Sequence, residues 1–348
     1  MKTIKYIHSI PNFTYKITDS YLGNLKIGIF DIETLGLNPE TQPVILAGFM
    51  TLLPEGQFEI TQYFAEFPEE EILILKHLQN AFEEVDYVLT YNGKHFDIPY
   101  IEKRAQKLGM DNYKFNLYNL DLYLVLNGYS PLRSVISNLK QKTVEMYMGL
   151  DSGRYDMISG AESIELYEAY VRCQDLCEKE FLEEKILLHN HDDLIQLFKL
   201  LPILKQVDVH KAFNGLGFPI AGENGWPTLC LTSIKVSPAG LTLSGKYPGE
   251  PFSYIAYDTF DDSFSCEFDT QNKFSFKLRT DRHKGNIFLN LNSYFDDYEE
   301  LKKYPNCIDN FILASAGGSL SHLELNMFIK KFMQNFMNET VCPLMVLY

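Results

Sequence analysis

Residues 30–37 read FDIETLGL, and they set two acids, Asp31 and Glu33, one residue apart in an otherwise apolar run, LKIGIFDIETLGL. A strand alternates faces with period two, so both carboxylates leave the same side. In a buried strand they repel each other, and taking such ions out of water costs several kcal/mol. They call for a positive partner or for solvent. A third acid, Asp97, stands in YNGKHFDIPYIEKRA at a strand-to-helix turn, and strand ends are where ligands gather in α/β sheets. Further along, LLHNHDDLIQLF puts His189 and Asp193 at i and i+4, on one face of a helix. Three elements can so bring four carboxylates to one place. Hard divalent cations take oxygen ligands, and two of them ~3.5–4 Å apart can clamp the attacking and leaving oxygens of a phosphodiester displacement. The implied positive partner of Asp31 and Glu33 is metal, two Mg²⁺ or Mn²⁺ ions.

Each motif also has a plainer explanation. A lone D-x-E on a strand is most often solvated, Asp97 could simply cap a helix, and charges on a helix usually mark its wet face. It is their joint occurrence, in order and on suitable elements, that points to a site. Asp192 competes with Asp193, from which it lies ~100° round the helix; the motif spacing favours Asp193. His191 is expected at the surface, and His95 as a pocket-lining or capping residue. Asp121, in NLDLYLVL, is either a substrate-side acid or a strand-end turn residue. Lys103, Arg104 and Lys107 could flank a groove or form an ordinary solvated face.

The elements that must position these residues follow from periodicity. Strands are expected in NLKIGIFDIETL, PVILAGFMTLL, GQFEITQYFAE and DYVLTYNG, with a fifth in KFNLYNLDLYLVL running into a loop or helix. PEEEILILKHLQNAFEEV reads as a helix with Pro68 near its start and acids in its first turn. DIPYIEKRAQKLGM reads as another, closed near Gly109, and residues 131–204 read as mostly helical. The Gly- and Pro-rich stretch FNGLGFPIAGENGWPT reads as a linker. Alternating short segments then predict a β-rich domain with a last helix, HLELNMFIKKFMQNFM, packed on it. The expected organisation is an α/β domain over 1–206, a linker over 207–226 and a smaller β-rich accessory domain over 227–348.

The net charge of −15 excludes a generic nucleic-acid coat protein, which needs concentrated positive charge. It leaves room for an enzyme that confines its cations to a groove. In NKFSFKLRTDRHKG, Lys273, Ser275, Lys277 and Arg279 alternate with Phe274, Phe276 and Leu278; one face would be positive, either to hold a phosphate backbone or as a solvated strand face. The six cysteines lack a CxxC pair and read as reduced thiols of a cytoplasmic protein, with Cys173 and Cys177 as packing residues. No secretory leader and no membrane span is expected.

FDIETLGL, YNGKHFDIPYI and HNHDD resemble the three motifs of the DnaQ-like (DEDD) 3′–5′ exonucleases, within the ribonuclease-H-like fold. The similarity is strongest to the YprB-like group, which also has a segment resembling ISGAESIELYEAYV at 158–171. It covers residues 20–204, and nothing comparable extends over 207–348. The resemblance implies a ribonuclease-H-like mixed sheet flanked by helices. It implies Asp31, Glu33, Asp97 and Asp193 as metal ligands, and Thr34, Leu35, Asn92 and Phe96 as contacts to the terminal nucleotide. Well-studied members place a Tyr four residues before the last Asp or a His five before it; here His189 is a histidine at the tyrosine spacing, a departure the YprB-like group shares. An imidazole is chemically suited to orient or deprotonate water.

The expectation is a cytoplasmic, metal-dependent 3′–5′ exonuclease acting on a single-stranded 3′ end of DNA or RNA and releasing nucleoside monophosphates. The alternatives are a structure-specific endonuclease on the same metal site and a non-catalytic nucleic-acid-binding scaffold. The second domain would aid substrate capture or dock a protein partner.

Overall fold

The first sheet has six strands: β1 (Lys2–Ser9), β2 (Ile27–Thr34), β3 (Val44–Leu53), β4 (Gln57–Phe64), β5 (Tyr87–Thr90) and β6 (Tyr118–Asp121). A computed structural model of the chain describes residues 1–9, 16–53, 56–150, 154–155, 158–222, 227–257 and 263–341. The strand order is β1-β4-β3-β2-β5-β6. β1, β4, β3 and β2 pair antiparallel in succession and β2 pairs parallel with β5, so the sheet is mixed. β1, near the start of the chain, is an edge strand of this sheet. β2 carries the run IGIFDIET and is buried along nearly its whole length, as expected of a central strand covered on both faces.

The chain groups into two compact units. The first comprises Met1–Ile17, Leu25–Phe115 and Asn119–Val207. After α1 (Lys16–Leu22), its helices are α2 (Glu71–Glu83), α3 (Asp97–Lys107), α4 (Leu122–Tyr129), α5 (Gln141–Tyr147), α6 (Gly160–Arg172) and α7 (Leu176–Leu200). α2 buries Ile74, Leu75, Leu78 and Phe82, one stripe at helical spacing. Its first residue, Glu71, is also buried and takes a two-pronged bond from Arg104 of α3, at 2.8 and 2.6 Å. Glu71 accepts the Val44 N–H as well, at 2.8 Å, tying both helices to the start of β3. Arg104 is therefore a buried structural cation and not a groove residue, while Lys103 pairs at the surface with Glu40. α6 begins with a reciprocal cap, Ser159 with Glu162, and α7 with Asp175, which accepts the Glu178 N–H at 2.9 Å.

The second unit holds Thr18–Asn24, Asn116–Tyr118 and Asp208–Tyr348. Residues 18–24, assigned from sequence to the first domain, belong here through a buried polar chain. The Tyr21 hydroxyl meets His210 Nδ1 at 2.7 Å, and Asn326 Nδ2 donates to that hydroxyl at 2.9 Å. Within 207–226, expected as a linker, the chain forms α8 (Val209–Leu216) and β7 (Pro219–Ile220). α8 buries Val209, Ala212 and Phe213, a helical stripe whose short length the neighbouring Gly and Pro disguise. Residues 223–226 of that stretch lie outside the described ones. There follow β8 (Leu229–Ser237), β9 (Gly240–Lys246), β10 (Tyr254–Ala256), β11 (Phe264–Phe268) and β12 (Lys273–Leu278). They form an antiparallel sheet in the order β10-β11-β12-β9-β8-β7. A second sheet uses β13 (Asp281–His283), β14 (Asn286–Asn290), β15 (Cys307–Ile308), β16 (Phe311–Ala316) and β17 (Ser319–Leu320). The final helix, α9 (His322–Phe336), packs Phe332 and Phe336 edge-on against Phe276 of β12, with ring centres 5.7 and 4.9 Å apart. Among the described residues no helix is long and apolar enough to cross a membrane.

Candidate active site

Asp31 and Glu33 lie in β2, whose parallel pairing with β5 covers only Ile27–Ile29. Beyond that point the Ile32 N–H is past its ladder neighbours, and Asp97 accepts it at 3.3 Å. The second-motif acid is thus drawn to the strand that carries the first two. The turn before it is fixed by Asp121, which accepts the N–H groups of Asn92 (2.9 Å), Lys94 (3.0 Å) and Leu124 (3.3 Å). Asp121 is the turn-forming acid of the two alternatives. Asn92 sits at φ 65°, a left-handed conformation that asparagine tolerates better than most residues.

Asp31 is paired in register with Gly48 of β3. A Cβ on Gly48 would come within 2.0 Å of Asn190 Oδ1 and 2.7 Å of a Leu194 methyl. Only glycine lets α7 lie this close to the sheet. Asn190 uses the space to donate to Asp31 Oδ2 at 3.0 Å, and Gln62 of β4 donates to Asn190 Oδ1 at 2.8 Å. Gln62 and Asn190 are both fully buried. Neither carries a signal in isolation: Asn190, between two histidines, reads as part of a wet helix face, and Gln62 as a polar position of an alternating strand.

Held at this depth, α7 turns His189 and Asp193 towards β2. His189 Nε2 is 3.7 Å from Glu33 Oε1 and 3.7 Å from Asp193 Oδ2. Ligand atoms of Glu33, His189 and Asp193 all lie within 4.8 Å of one another. The neighbouring Asp192 is buried but engaged elsewhere, accepting the Tyr155 N–H at 2.5 Å. His191, expected at the surface, is half-buried, its Nε2 3.0 Å from that of His8 on edge strand β1. His95 is exposed, with Nδ1 3.3 Å from the Asn92 side-chain oxygen.

Arg154 is a site residue that motif spacing does not reveal. Its Nη2 donates to Asp193 Oδ1 at 2.5 Å and to Glu145 Oε1 at 2.8 Å, and its Nε donates to Glu145 Oε2 at 2.9 Å. Glu145 is 1% exposed. Removing one partner of a buried ion pair leaves an uncompensated charge, at ~3–5 kcal/mol. Arg154→Ala is expected to lower the urea midpoint accordingly. Arg154→Lys should recover only part, because an ammonium cannot fork across a carboxylate. An unchanged midpoint in the alanine variant would contradict this account of Glu145.

The acids are electrostatically unsettled. Burial pushes Asp31 well above the usual carboxylate range, the charges of Asp97, Asp193 and Glu33 push the same way, and the Asn190 bond opposes them. Burial raises Glu33 to about 7, with His189 pulling the other way. Burial also raises Asp97 to about 7 against the bond from Ile32 N–H. Acids crowded in this way are short of positive charge. A donor set of carboxylate oxygens with one imidazole fits a hard divalent cation.

The residues implied for substrate contact line the loop after β2 and the start of α3. The buried Thr34 hydroxyl donates to Gly36 O at 2.8 Å, fixing that loop, and Leu35 packs half-buried on the core. The Phe96 ring lies 5.4 Å from that of Tyr100, whose hydroxyl also donates to Gly36 O.

Comparison with known proteins places this geometry in a family. Over 96 residues, a quarter of the chain, it is 32% identical to a DNA polymerase of Methanocaldococcus jannaschii and 35% identical to one of Pyrococcus glycovorans. The match spans only 6% and 12% of those polymerases. A family B DNA polymerase structure from Pyrobaculum calidifontis aligns over 55% of the chain and 26% of its own, at 23% identity and a TM-score of 0.41. The YprB-like subdivision rests on the motifs alone. The family model of the RNase_H superfamily matches residues 29–205, half of the chain and all of the acidic cluster, and the chain belongs to that superfamily.

Proposed function

We propose that the protein is a metal-dependent 3′–5′ exonuclease that hydrolyses the terminal phosphodiester of a single-stranded DNA or RNA end and releases nucleoside monophosphates. The observation that carries this reading is the convergence of Asp31, Glu33, Asp97 and Asp193, from β2, α3 and α7, with Arg154 paired to Asp193. These four carboxylates are the ligands for two Mg²⁺ or Mn²⁺ ions, which when bound supply Lewis-acid stabilisation of the attacking and leaving oxygens. Asn190 and Gln62 orient Asp31, and the Ile32 N–H orients Asp97. Thr34, Leu35, Asn92 and Phe96 shape the pocket for the terminal nucleotide. We assign the protein to the cytoplasm, a reading supported by the five described cysteines, all free thiols.

His189 stands between Glu33 and Asp193 and acts as the group that orients the attacking water and takes its proton. Positioned general bases contribute ~10²–10⁴-fold. His189→Ala is expected to lower kcat about 10²-fold and to flatten the acid side of the pH–rate profile; a wild-type profile would remove His189 from the chemistry.

The reading as a whole is tested with 5′-labelled single-stranded RNA and DNA in Mg²⁺, Mn²⁺ or EDTA. The expected product is a metal-dependent ladder shortening from the 3′ end. Cleavage of a 3′-blocked or circular strand would favour endonuclease action on the same site. Tight binding without cleavage in any metal would favour a non-catalytic scaffold.

A further inference from the structure

The sheet β10-β11-β12-β9-β8-β7 has two chemically opposite faces. On one, Leu241 and Leu243 of β9 and Phe274, Phe276 and Leu278 of β12 are buried. On the other, register aligns Lys235 with Thr242, Lys277 and Ser265 in one row. A second row aligns Ser233, Ser244, Ser275 and Glu267, and Lys246 stands opposite Lys273. Lys235, Lys273 and Lys277 are exposed and Lys246 half-exposed.

Four lysines against one glutamate is the reverse of the chain's balance, 46 acids to 31 basic residues. Among the described residues none of the four makes an ion pair; Lys273 Nζ reaches only the Gln271 side-chain oxygen, at 3.0 Å. Asp269 at the rim is already engaged, accepting the N–H groups of Gln271 and Lys273, each at 2.9 Å. A shallow groove of about 380 Å³ crosses this face, with Lys246, Lys273, Ser244 and Ser275 along it and Glu267 and Asp269 also in its lining. An acidic protein that leaves four cations unpaired on one hydroxyl-rich face has a surface complementary to a polyanion. Lysines and hydroxyls are the groups that bond phosphate oxygens without reading bases. Lys273 and Lys277, four residues apart on a strand, lie ~13 Å apart, enough to meet more than one phosphate of a strand.

We propose that this face binds the phosphate backbone of a single-stranded nucleic acid without sequence preference, as a capture site separate from the acidic cluster. Its role in substrate capture rests on the nuclease reading; the binding itself does not. A strand held there stays tethered to the chain that carries the acidic cluster, which raises its effective concentration.

The test uses the full chain with Lys235, Lys246, Lys273 and Lys277 replaced together by Ala, and a second variant with all four replaced by Arg. Binding of a long labelled single strand is read by fluorescence anisotropy in EDTA across a salt series. Hydrolysis of a dinucleotide, which offers one phosphodiester and little backbone for the lysines to hold, is read in Mn²⁺. The alanine variant is expected to bind the long strand at least ~10-fold more weakly. The slope of log K against log salt should shrink by ~0.7 for each phosphate that the lysines no longer neutralise. The arginine variant should keep wild-type binding, and all three proteins should cleave the dinucleotide equally. Wild-type affinity and salt slope in the alanine variant would overturn the proposal. So would loss of binding in the arginine variant, which would mark a structural effect, or polyglutamate binding the wild type as tightly as the strand does. A dinucleotide left intact by the wild type would sink the nuclease reading, while anisotropy would still decide the lysine face.

Discussion

Asp31→Asn is expected to lower hydrolysis at least ~10³-fold while raising the stability of the metal-free protein. The activity loss follows from the carboxylate's place in the cluster. A Lewis acid contributes several kcal/mol to stabilising the transition state, and each 1.36 kcal/mol is tenfold in rate. The gain in stability comes from the same residue. Asp31 is pushed above the carboxylate range by burial and by three neighbouring acids, so its ionised form is unfavourable in the fold. An asparagine keeps an oxygen for Asn190 to donate to, as it does to Asp31 at 3.0 Å, and carries no charge. Activity assays in Mg²⁺ and Mn²⁺ beside thermal melts in EDTA measure both effects. A variant that retained activity would remove Asp31 from the site; one that lost activity and melted lower in EDTA would show that it had merely damaged the fold.

The second large effect concerns pH. Glu33 is raised from an ordinary 4.5 to about 7, and Asp97 from 3.8 to about 7. A carboxyl with a raised folded-state pKa holds its proton more tightly folded than unfolded. Its stabilising contribution is complete below the ordinary pKa and is lost as pH rises through about 7. For Glu33 alone the shift corresponds to ~3 kcal/mol at ~1.4 kcal/mol per unit, roughly 6–12 °C in Tm for a unit of this size. In EDTA, Tm should therefore fall between pH of about 5 and 8. Saturating Mg²⁺ or Mn²⁺ should remove most of that fall, because an ion bound only by the folded, deprotonated acids stabilises by mass action. A Tm that is flat or rises with pH in EDTA, or the same fall with metal present, would count against a cation site at this cluster.

Much of the site was legible in the linear sequence because its parts are short-range. Period two puts Asp31 and Glu33 on one side of a strand, period 3.6 puts His189 and Asp193 on one side of a helix, and Asn-Gly marks the turn before Asp97. In the structure Asp193 lies with Glu33 and His189, while Asp192 accepts the Tyr155 N–H. The apolar alternation of β12 foretold a sheet with one basic face. Composition misled at 207–226, where Gly and Pro conceal the short helix α8. It also misled at Arg104, which reads as a surface cation but is locked into the buried Glu71 pair.

The linear chain carries the superfamily and most of the elements that bear the candidate acids, since each depends on spacing within a single segment. How those segments meet is a matter of packing in three dimensions. Gly48 admits α7 close to β2, Asn190 and Gln62 tie Asp31 to that helix, and Arg154 joins Asp193 to a buried Glu145. These interactions link residues from about ten to more than a hundred positions apart in the chain. Their partners are chosen by packing distance and the need to satisfy buried polar groups, neither of which has a period that a sequence can display.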